Sequence, residues 1–377
     1  MKTRAALLTG VGEKWAIEEI ELAEPGPDEV LVEMKAAGLC HSDEHMVTGD
    51  MVTPEPVRLE LGLPSQFPLV GGHEGAGVVI AVGERVTEFA VGDHVAASFM
   101  PACGICPPCA SGRQYLCDQG YNLLQKDEVP RQLWRGEQVN IFSGVGSFAE
   151  HSLMHRNSLV KVDEQLPFDA VALVSCGVAT GWGSAVERAG TQPGDVVAVV
   201  GVGGIGMNAV QGAAAAGARA IVAIDPFPLK RQKAPEFGAT HTAASIAEAR
   251  PIIEQVSLGR LCDRVILSPS VLHGDLLGEA LSITGKGSTC VATAVAPMTQ
   301  TTASISLFEL TLWNKELKGT VFGSVSPRLQ IPRLLALYQA GKLKLDELIS
   351  RRYTLDEINL GYDDQRQGRI LRGVIEF

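Results

Sequence analysis

The chain has 377 residues, 46% of them apolar, and a formal charge of −11 from 32 basic and 43 acidic side chains. That length exceeds one core and predicts two domains, and the acidic balance disfavours nonspecific nucleic-acid binding. No apolar run reaches the eighteen or so residues of a membrane span, and Met1-Lys-Thr-Arg leads into alternating acidic sequence without a cleavage-like segment. A cytoplasmic protein with no membrane or nucleic-acid partner is expected.

Residues 1–100 read as short strands broken by Gly and Pro: Val30–Ala36, Gly77–Val82 and His94–Ser98, separated by polar turns such as Gly83-Glu84 and Gly92-Asp93. This predicts a compact β-rich domain. Between these strands, Met51–Phe67 reads as a long loop, and residues 120–146, carrying Trp134, read as a second irregular region of the kind that often rims a site. The chain contains eight cysteines, and Cys103, Cys106, Cys109 and Cys117 crowd into fifteen residues without an export signal, so metal ligation accounts for them better than disulfides. Four thiolates on so short a loop can converge on a closed tetrahedral zinc site. An iron–sulfur cluster is the main competitor, and the long last gap favours zinc.

From Pro193 onward apolar strands alternate with helices, which predicts a parallel sheet with strands Val196–Val200, Ala220–Ile224, Arg264–Leu267 and Ser288–Ala292. The first strand runs into Gly201-Val-Gly203-Gly204-Ile205-Gly206 and an Ala-rich segment, the order a dinucleotide turn requires. Gly201 permits the turn, Gly203 lets the backbone approach a pyrophosphate, and Gly206 lets helix pack on strand. The second strand ends in Asp225, which can bind an adenosine ribose and repel a 2′-phosphate, so NAD is preferred over NADP. Ile331–Ala340 is an amphipathic helix and Leu371–Phe377 a closing strand. No repeat or low-complexity segment stands out.

Cys40-His41-Ser42-Asp43, Gly72-His73-Glu74-Gly75-Ala76-Gly77-Val78, the four-cysteine loop, Ser175-Cys176-Gly177 with Thr180-Gly181, and the glycine turn stand in one order along essentially the whole chain. In that order they resemble the zinc-dependent medium-chain alcohol dehydrogenases. The resemblance implies an α/β protein: a Rossmann doubly wound parallel sheet plus a β-rich GroES-like catalytic domain. Expected borders are 1–178 for the catalytic domain, with a structural-zinc lobe at 99–120, then 179–321 for the NAD-binding domain and 322–377 for a return to the first.

By the same resemblance Cys40, His73 and Cys176 hold a catalytic zinc with one position open, and Cys103, Cys106, Cys109 and Cys117 hold a structural one, two zinc ions per subunit. Glu74 sits where the family has a carboxylate able to ligate transiently, and Asp43 where a residue orients the ligand histidine. Read alone, these would be a surface acid and a loop cap. Ser42 matches the hydroxyl that takes the alcohol proton and His45 the histidine that passes it on; a short helical turn would put both on one side. His41 falls at a pyrophosphate contact that is often arginine in relatives. Gly201, Gly203, Gly204, Ile205 and Gly206 match the cofactor turn, Asp225 and Lys230 ribose contacts, Thr180 a nicotinamide contact, Arg372 a late pyrophosphate contact, and Phe99 a wall of the substrate pocket. The reaction implied is reversible hydride transfer between an alcohol and NAD, giving an aldehyde or ketone, in a homodimer or homotetramer.

Gly38–Asp50, Pro101–Gly104, Gly181–Ala185 and Leu307–Leu312 look most like the actinobacterial enzymes assayed with nitrosodimethylaniline. That narrower resemblance implies tightly held NAD reoxidised by an external carrier, the redox peptide mycofactocin. The Cys40–His73 gap is longer than in that subgroup, with the excess in Met51–Phe67, which is expected to form a lip over the substrate entrance. A thiol-adduct dehydrogenase acting on formaldehyde conjugates and a non-enzymatic NAD-binding protein on this fold are the alternatives; Cys40, His73 and Cys176 together disfavour a zinc-free quinone reductase.

Overall fold

Alternating apolar residues become strands at Lys2–Leu8, Ala16–Leu22 and Glu29–Gly38, whose buried faces open two sheets. The computed structural model describes residues 1–120 and 131–377, so ten residues of the irregular 120–146 region lie outside the described part. Two compact units result: Met1–Cys176 with Ser326–Phe377, and Gly177–Val325. These units meet at Cys176/Gly177 and Val325/Ser326, where the sequence led to borders at 178/179 and 321/322. A local reason is that residues 322–324 pack on the helix Ala179–Gly183, where Gly183 lies against the Gly323 backbone.

In the first unit one six-stranded sheet runs, in spatial order, Glu137–Gln138, Gln132–Trp134, Ala16–Leu22, Lys2–Leu8, Leu69–Val70 and Asn140–Ile141. The second sheet is seven-stranded, with Leu159–Lys161, His94–Ala97, Gly75–Val82, Glu29–Gly38, Arg372–Glu376 and Ile349–Tyr353 side by side and His151–His155 also paired to Glu29–Gly38. The closing strand lies antiparallel on Glu29–Gly38, with Val374 opposite Gly38, and Gly75 opposes Ala37 on the other side. Three neighbouring strands therefore meet at one edge, with Cys40, His73 and Glu74 just beyond it and Arg372 as the first residue of the closing strand. Trp15, Phe148 and Tyr362 close the core beneath this edge, with ring centroids 5.8 to 6.3 Å apart.

The second unit carries a parallel sheet in the order His241–Ala243, Ala220–Ile224, Val196–Val200, Cys262–Leu267, Thr284–Ala292 and Glu316–Gly319. Numbered along the chain this is 3-2-1-4-5-6, the Rossmann order, whose ligand crevice lies where the order reverses, at the C-terminal end of Val196–Val200.

Several expected elements shift. Met51–Phe67 contains a helix, Glu55–Glu60, that buries none of its residues. The helix expected at Ile331–Ala340 begins a turn earlier, as Pro327–Gln339, since proline at a helix start loses no hydrogen bond. Phe168–Arg188 is a 21-residue helical stretch that matches a membrane span by length and composition only; its apolar window is 89% buried, as in a core helix.

Candidate functional site

Cys40 is the last residue before the helix His41–Thr48, and extended backbone at Cys40 (φ −122°, ψ 149°) carries the chain from strand to helix. Its carbonyl accepts a hydrogen bond from Tyr362 Oη at 3.4 Å. His73 and Glu74 precede the strand Gly75–Val82, and Cys176 sits in a π-helical turn, Val174–Val178. Ser175 fixes that turn: its Oγ accepts from Gly75 N at 3.2 Å and donates to Ala172 O at 2.6 Å. One donor atom each from Cys40, His73, Glu74 and Cys176 lie within 4.8 Å of one another, and all four residues are buried.

Asp43 is fully buried and sits behind His73, its Oδ2 2.9 Å from His73 Nδ1, while Gly72 N donates to Asp43 Oδ1 at 2.7 Å. With Nδ1 2.9 Å from this carboxylate, Nε2 is the nitrogen left for a metal, and both nitrogens are buried. Phe99 and Phe142 stand edge-on to the imidazole at 5.6 and 5.4 Å, which fixes its plane. Glu74 pairs with Arg372, both buried. Burial pushes the Glu74 carboxyl up to about 7, against the opposing pull of that guanidinium. The Cys176 thiol, and then His73 and Arg372, hold Cys40 well below the usual thiol range against its burial, while Cys40 and burial push Cys176 well above it. Two sulfurs, one imidazole and a carboxylate in reserve fit a zinc with an open coordination position.

The helix His41–Thr48 contains both Ser42 and His45. Ser42 Oγ is 3.9 Å from Cys40 Sγ. His45 is buried, with Nδ1 3.1 Å from Asp50 Oδ2. His41 Nδ1 lies 3.1 Å from Gln365 Nε2. Asp50 and Gln365 were missed by sequence reasoning: Gln365 has no local signal, whereas Asp50 follows a Gly49 turn five residues after His45, which could have been noticed.

In the other cysteine cluster all four sulfurs lie within 4.8 Å, with Cys103 to Cys109 and Cys106 to Cys117 both at 3.9 Å. A tetrahedron with metal–sulfur bonds of ~2.3 Å has sulfur edges of ~3.8 Å, so the spacing fits a tetrahedral metal ion such as zinc. Cys106 N also donates to Cys103 Sγ at 3.3 Å.

The glycine turn lies in the second unit. Gly201 has φ +85°, and a Cβ there would meet the Ser268 carbonyl at 2.5 Å; at Gly206 a Cβ would strike the Gly201 carbonyl. Gly203 instead faces open space, with Lys230 Nζ 3.7 Å from where its Cβ would be. Asp225 accepts from Val202 N and Phe227 N, each at 2.9 Å, and Lys230 Nζ lies 3.9 Å from it. These bonds orient the carboxylate at the end of the second strand and leave each oxygen a further lone pair for a ribose. Gly204 and Ile205 open the helix Gly204–Ala215, and Thr180 Oγ1 is buried without a hydrogen-bond partner.

Residues 26–164 match the alcohol dehydrogenase GroES-like domain and residues 204–340 the zinc-binding dehydrogenase family. The chain is 44% identical to alcohol dehydrogenase B of Mycobacterium tuberculosis and 45% identical to the NDMA-dependent alcohol dehydrogenase of Amycolatopsis methanolica, each alignment covering 100% of this chain and 99% of the relative. Among solved structures it resembles an alcohol dehydrogenase zinc-binding domain protein from Burkholderia ambifaria (TM-score 0.89) and benzyl alcohol dehydrogenase from Acinetobacter calcoaceticus (TM-score 0.87), each at 30% identity over 100% of this chain and 99% of that one.

Proposed function

Since the chain belongs to the zinc-dependent medium-chain alcohol dehydrogenases, we propose that Cys40, His73 and Cys176 hold a catalytic zinc at which an alcohol is oxidised by NAD to an aldehyde or ketone. The observation that carries this reading is the buried set of two thiols, one imidazole and one carboxylate within 4.8 Å, with Asp43 fixing the imidazole. When bound, zinc supplies the positive charge that acidifies the alcohol hydroxyl, and NAD supplies the hydride acceptor.

Ser42 takes the hydroxyl proton and His45 carries it onward. Asp43 holds His73 in one tautomer. Glu74 and Arg372 neutralise each other beside the thiols, which keeps a carboxylate at hand as an alternative ligand. Phe99 walls the substrate side of His73. Gly201, Gly203, Gly204, Ile205 and Gly206 receive the pyrophosphate, with Asp225 and Lys230 on the ribose, Thr180 on the nicotinamide, and His41 and Arg372 as further pyrophosphate contacts. Cys103, Cys106, Cys109 and Cys117 hold a second, structural zinc. The likeness to the NDMA-dependent enzyme supports the narrower reading that NAD stays bound through turnover and is reoxidised by an external carrier such as mycofactocin, in a homodimer or homotetramer.

Mass spectrometry of the native and the denatured protein tests this together with an alcohol oxidation assay. Two zinc ions and one NAD per chain, with oxidation sustained by nitrosodimethylaniline and not by added NAD, are expected. Rapid loss of NAD and turnover with free NAD would remove the carrier reading alone; absence of zinc and of any alcohol oxidation would remove the whole.

A further inference from the structure

The His45 ring is all but closed off from water, which reaches only its edge, and one of its nitrogens faces an acid that the reading above does not use. The helix His41–Thr48 ends at Gly49, whose left-handed backbone (φ +88°, ψ 0°) folds the next residue back along the helix. That turn is tied down by Met51 N donating to His45 O at 3.1 Å and by Gly12 N donating to Val47 O at 2.7 Å. Asp50 is thereby brought under the ring, with Oδ2 3.1 Å from His45 Nδ1, and the Thr48 hydroxyl donates to the same Oδ2 at 2.6 Å. The imidazole is 4% exposed and the Asp50 side chain 22%, so the carboxylate is where the pair meets solvent.

An ionised carboxylate only accepts hydrogen bonds. A contact of 3.1 Å is satisfied when Nδ1 carries the hydrogen, which leaves the lone pair on Nε2. We propose that Asp50, fixed by Thr48, is a positioning residue that sets His45 in its Nδ1–H tautomer, so that Nε2 is the atom that receives the alcohol proton. On uptake, the Nε2 lone pair forms the new N–H bond and the ring becomes an imidazolium. Its Nδ1–H stays on Asp50, whose charge stabilises the cation until Nε2 releases the proton to water. The spacing His45-x-x-Thr48-Gly49-Asp50 encodes the arrangement in six residues: a helical acid-base group, a hydroxyl one turn on, a left-handed stop and the acid.

This inference rests on the dehydrogenase reading for its catalytic consequence, but its structural content is measured without turnover. Nitrogen-15 spectra of histidine-labelled full-length enzyme, with the His45 signal identified by its loss in His45→Gln, report which ring nitrogen bears hydrogen. The neutral ring is expected as Nδ1–H in the wild type and as a tautomer mixture in Asp50→Ala. Asp50→Ala is expected to lower kcat for alcohol oxidation about 10- to 100-fold with KM and zinc content near wild type. Asp50→Asn, which still offers an oxygen to Nδ1–H and Thr48, should keep the tautomer and lose less. Neutral wild-type His45 protonated at Nε2, or an Asp50→Ala enzyme with kcat within twofold of wild type, overturns the proposal. Should Asp50→Ala fail to fold, the wild-type spectrum and Asp50→Asn still decide it. A wild-type enzyme that has the Nδ1–H tautomer but oxidises no alcohol would instead overturn the dehydrogenase reading.

Discussion

Asp43 illustrates how far one side chain determines the metal centre. It is wholly buried, touches His73 Nδ1 and Gly72 N, and lies in the helix that follows Cys40, so it couples two ligands through one carboxylate. Removing it leaves the imidazole held by the edges of Phe99 and Phe142 alone, which fix its plane but not its tautomer. Asp43→Ala is therefore expected to weaken zinc binding at this site about 10- to 100-fold, read by titration against a competing chelator. Unchanged affinity would show that the aromatic walls suffice. The residues of this centre were legible because the strands deliver them in short, recognisable strings such as Gly72-His73-Glu74-Gly75. The partners that orient them were legible only where they share a string with a ligand, as Asp43 does with Cys40. Arg372 shows the limit: the family resemblance leads one to expect a pyrophosphate contact, and what the string does not reveal is its buried ion pair with Glu74 across 298 positions of chain.

At the scale of elements, short apolar runs broken by Gly and Pro exposed several strands, and the glycine turn after Val196–Val200 exposed a dinucleotide-type turn, while the strand order was not legible. The π turn carrying Cys176 was not legible, because its extra residue leaves no mark in composition; only the Ser175 bonds to Gly75 and Ala172 reveal why it holds. The strand Ile349–Tyr353 and the helix Ile358–Arg366 are another such case. Asp364, on the helix Ile358–Arg366, accepts from Tyr353 Oη at 2.8 Å, and Tyr353 ends the strand Ile349–Tyr353. The Tyr353 hydroxyl first, and then Arg369 and Arg351, hold the Asp364 carboxyl below the usual carboxylate range, while burial opposes them. Both arginines are about half exposed, so the tyrosine is the partner that matters most. A depressed carboxyl binds fewer protons folded than unfolded, so its contribution is complete above pH ~4 and is lost as pH falls through the folded value. Asp364→Asn is expected to lose about 1–3 kcal/mol at pH 7 in denaturant unfolding, with the gap to wild type narrowing below pH ~4. A gap of constant size from pH 7 to pH 3 would assign the loss to packing instead.

Across the whole molecule, stability divides unevenly between metal and hydrophobic burial. The second unit has a continuous apolar core in which Val196, Val222, Ile253, Val265 and Leu267 are fully enclosed. Both metal-donor clusters found among the described residues belong to the first unit. Its four-cysteine lobe is tied to the rest of the unit by hydrogen bonds of Gln114 with Ser326 and Gln119 with Asn157, but its apolar hold is thin: Ile105 is 87% exposed, and the helix Pro107–Ala110 buries only Cys109. A segment with so few apolar contacts opens readily unless cross-linked, and the zinc proposed for it would be folding free energy. Chelating the intact enzyme should therefore expose residues 101–120 to proteolysis first, while fragments spanning 177–325 persist and still bind NAD. Restoring zinc should restore protection of the lobe. Simultaneous cleavage in both units at the same chelator concentration would mean that metal supports the molecule as one cooperative body, not one unit of it.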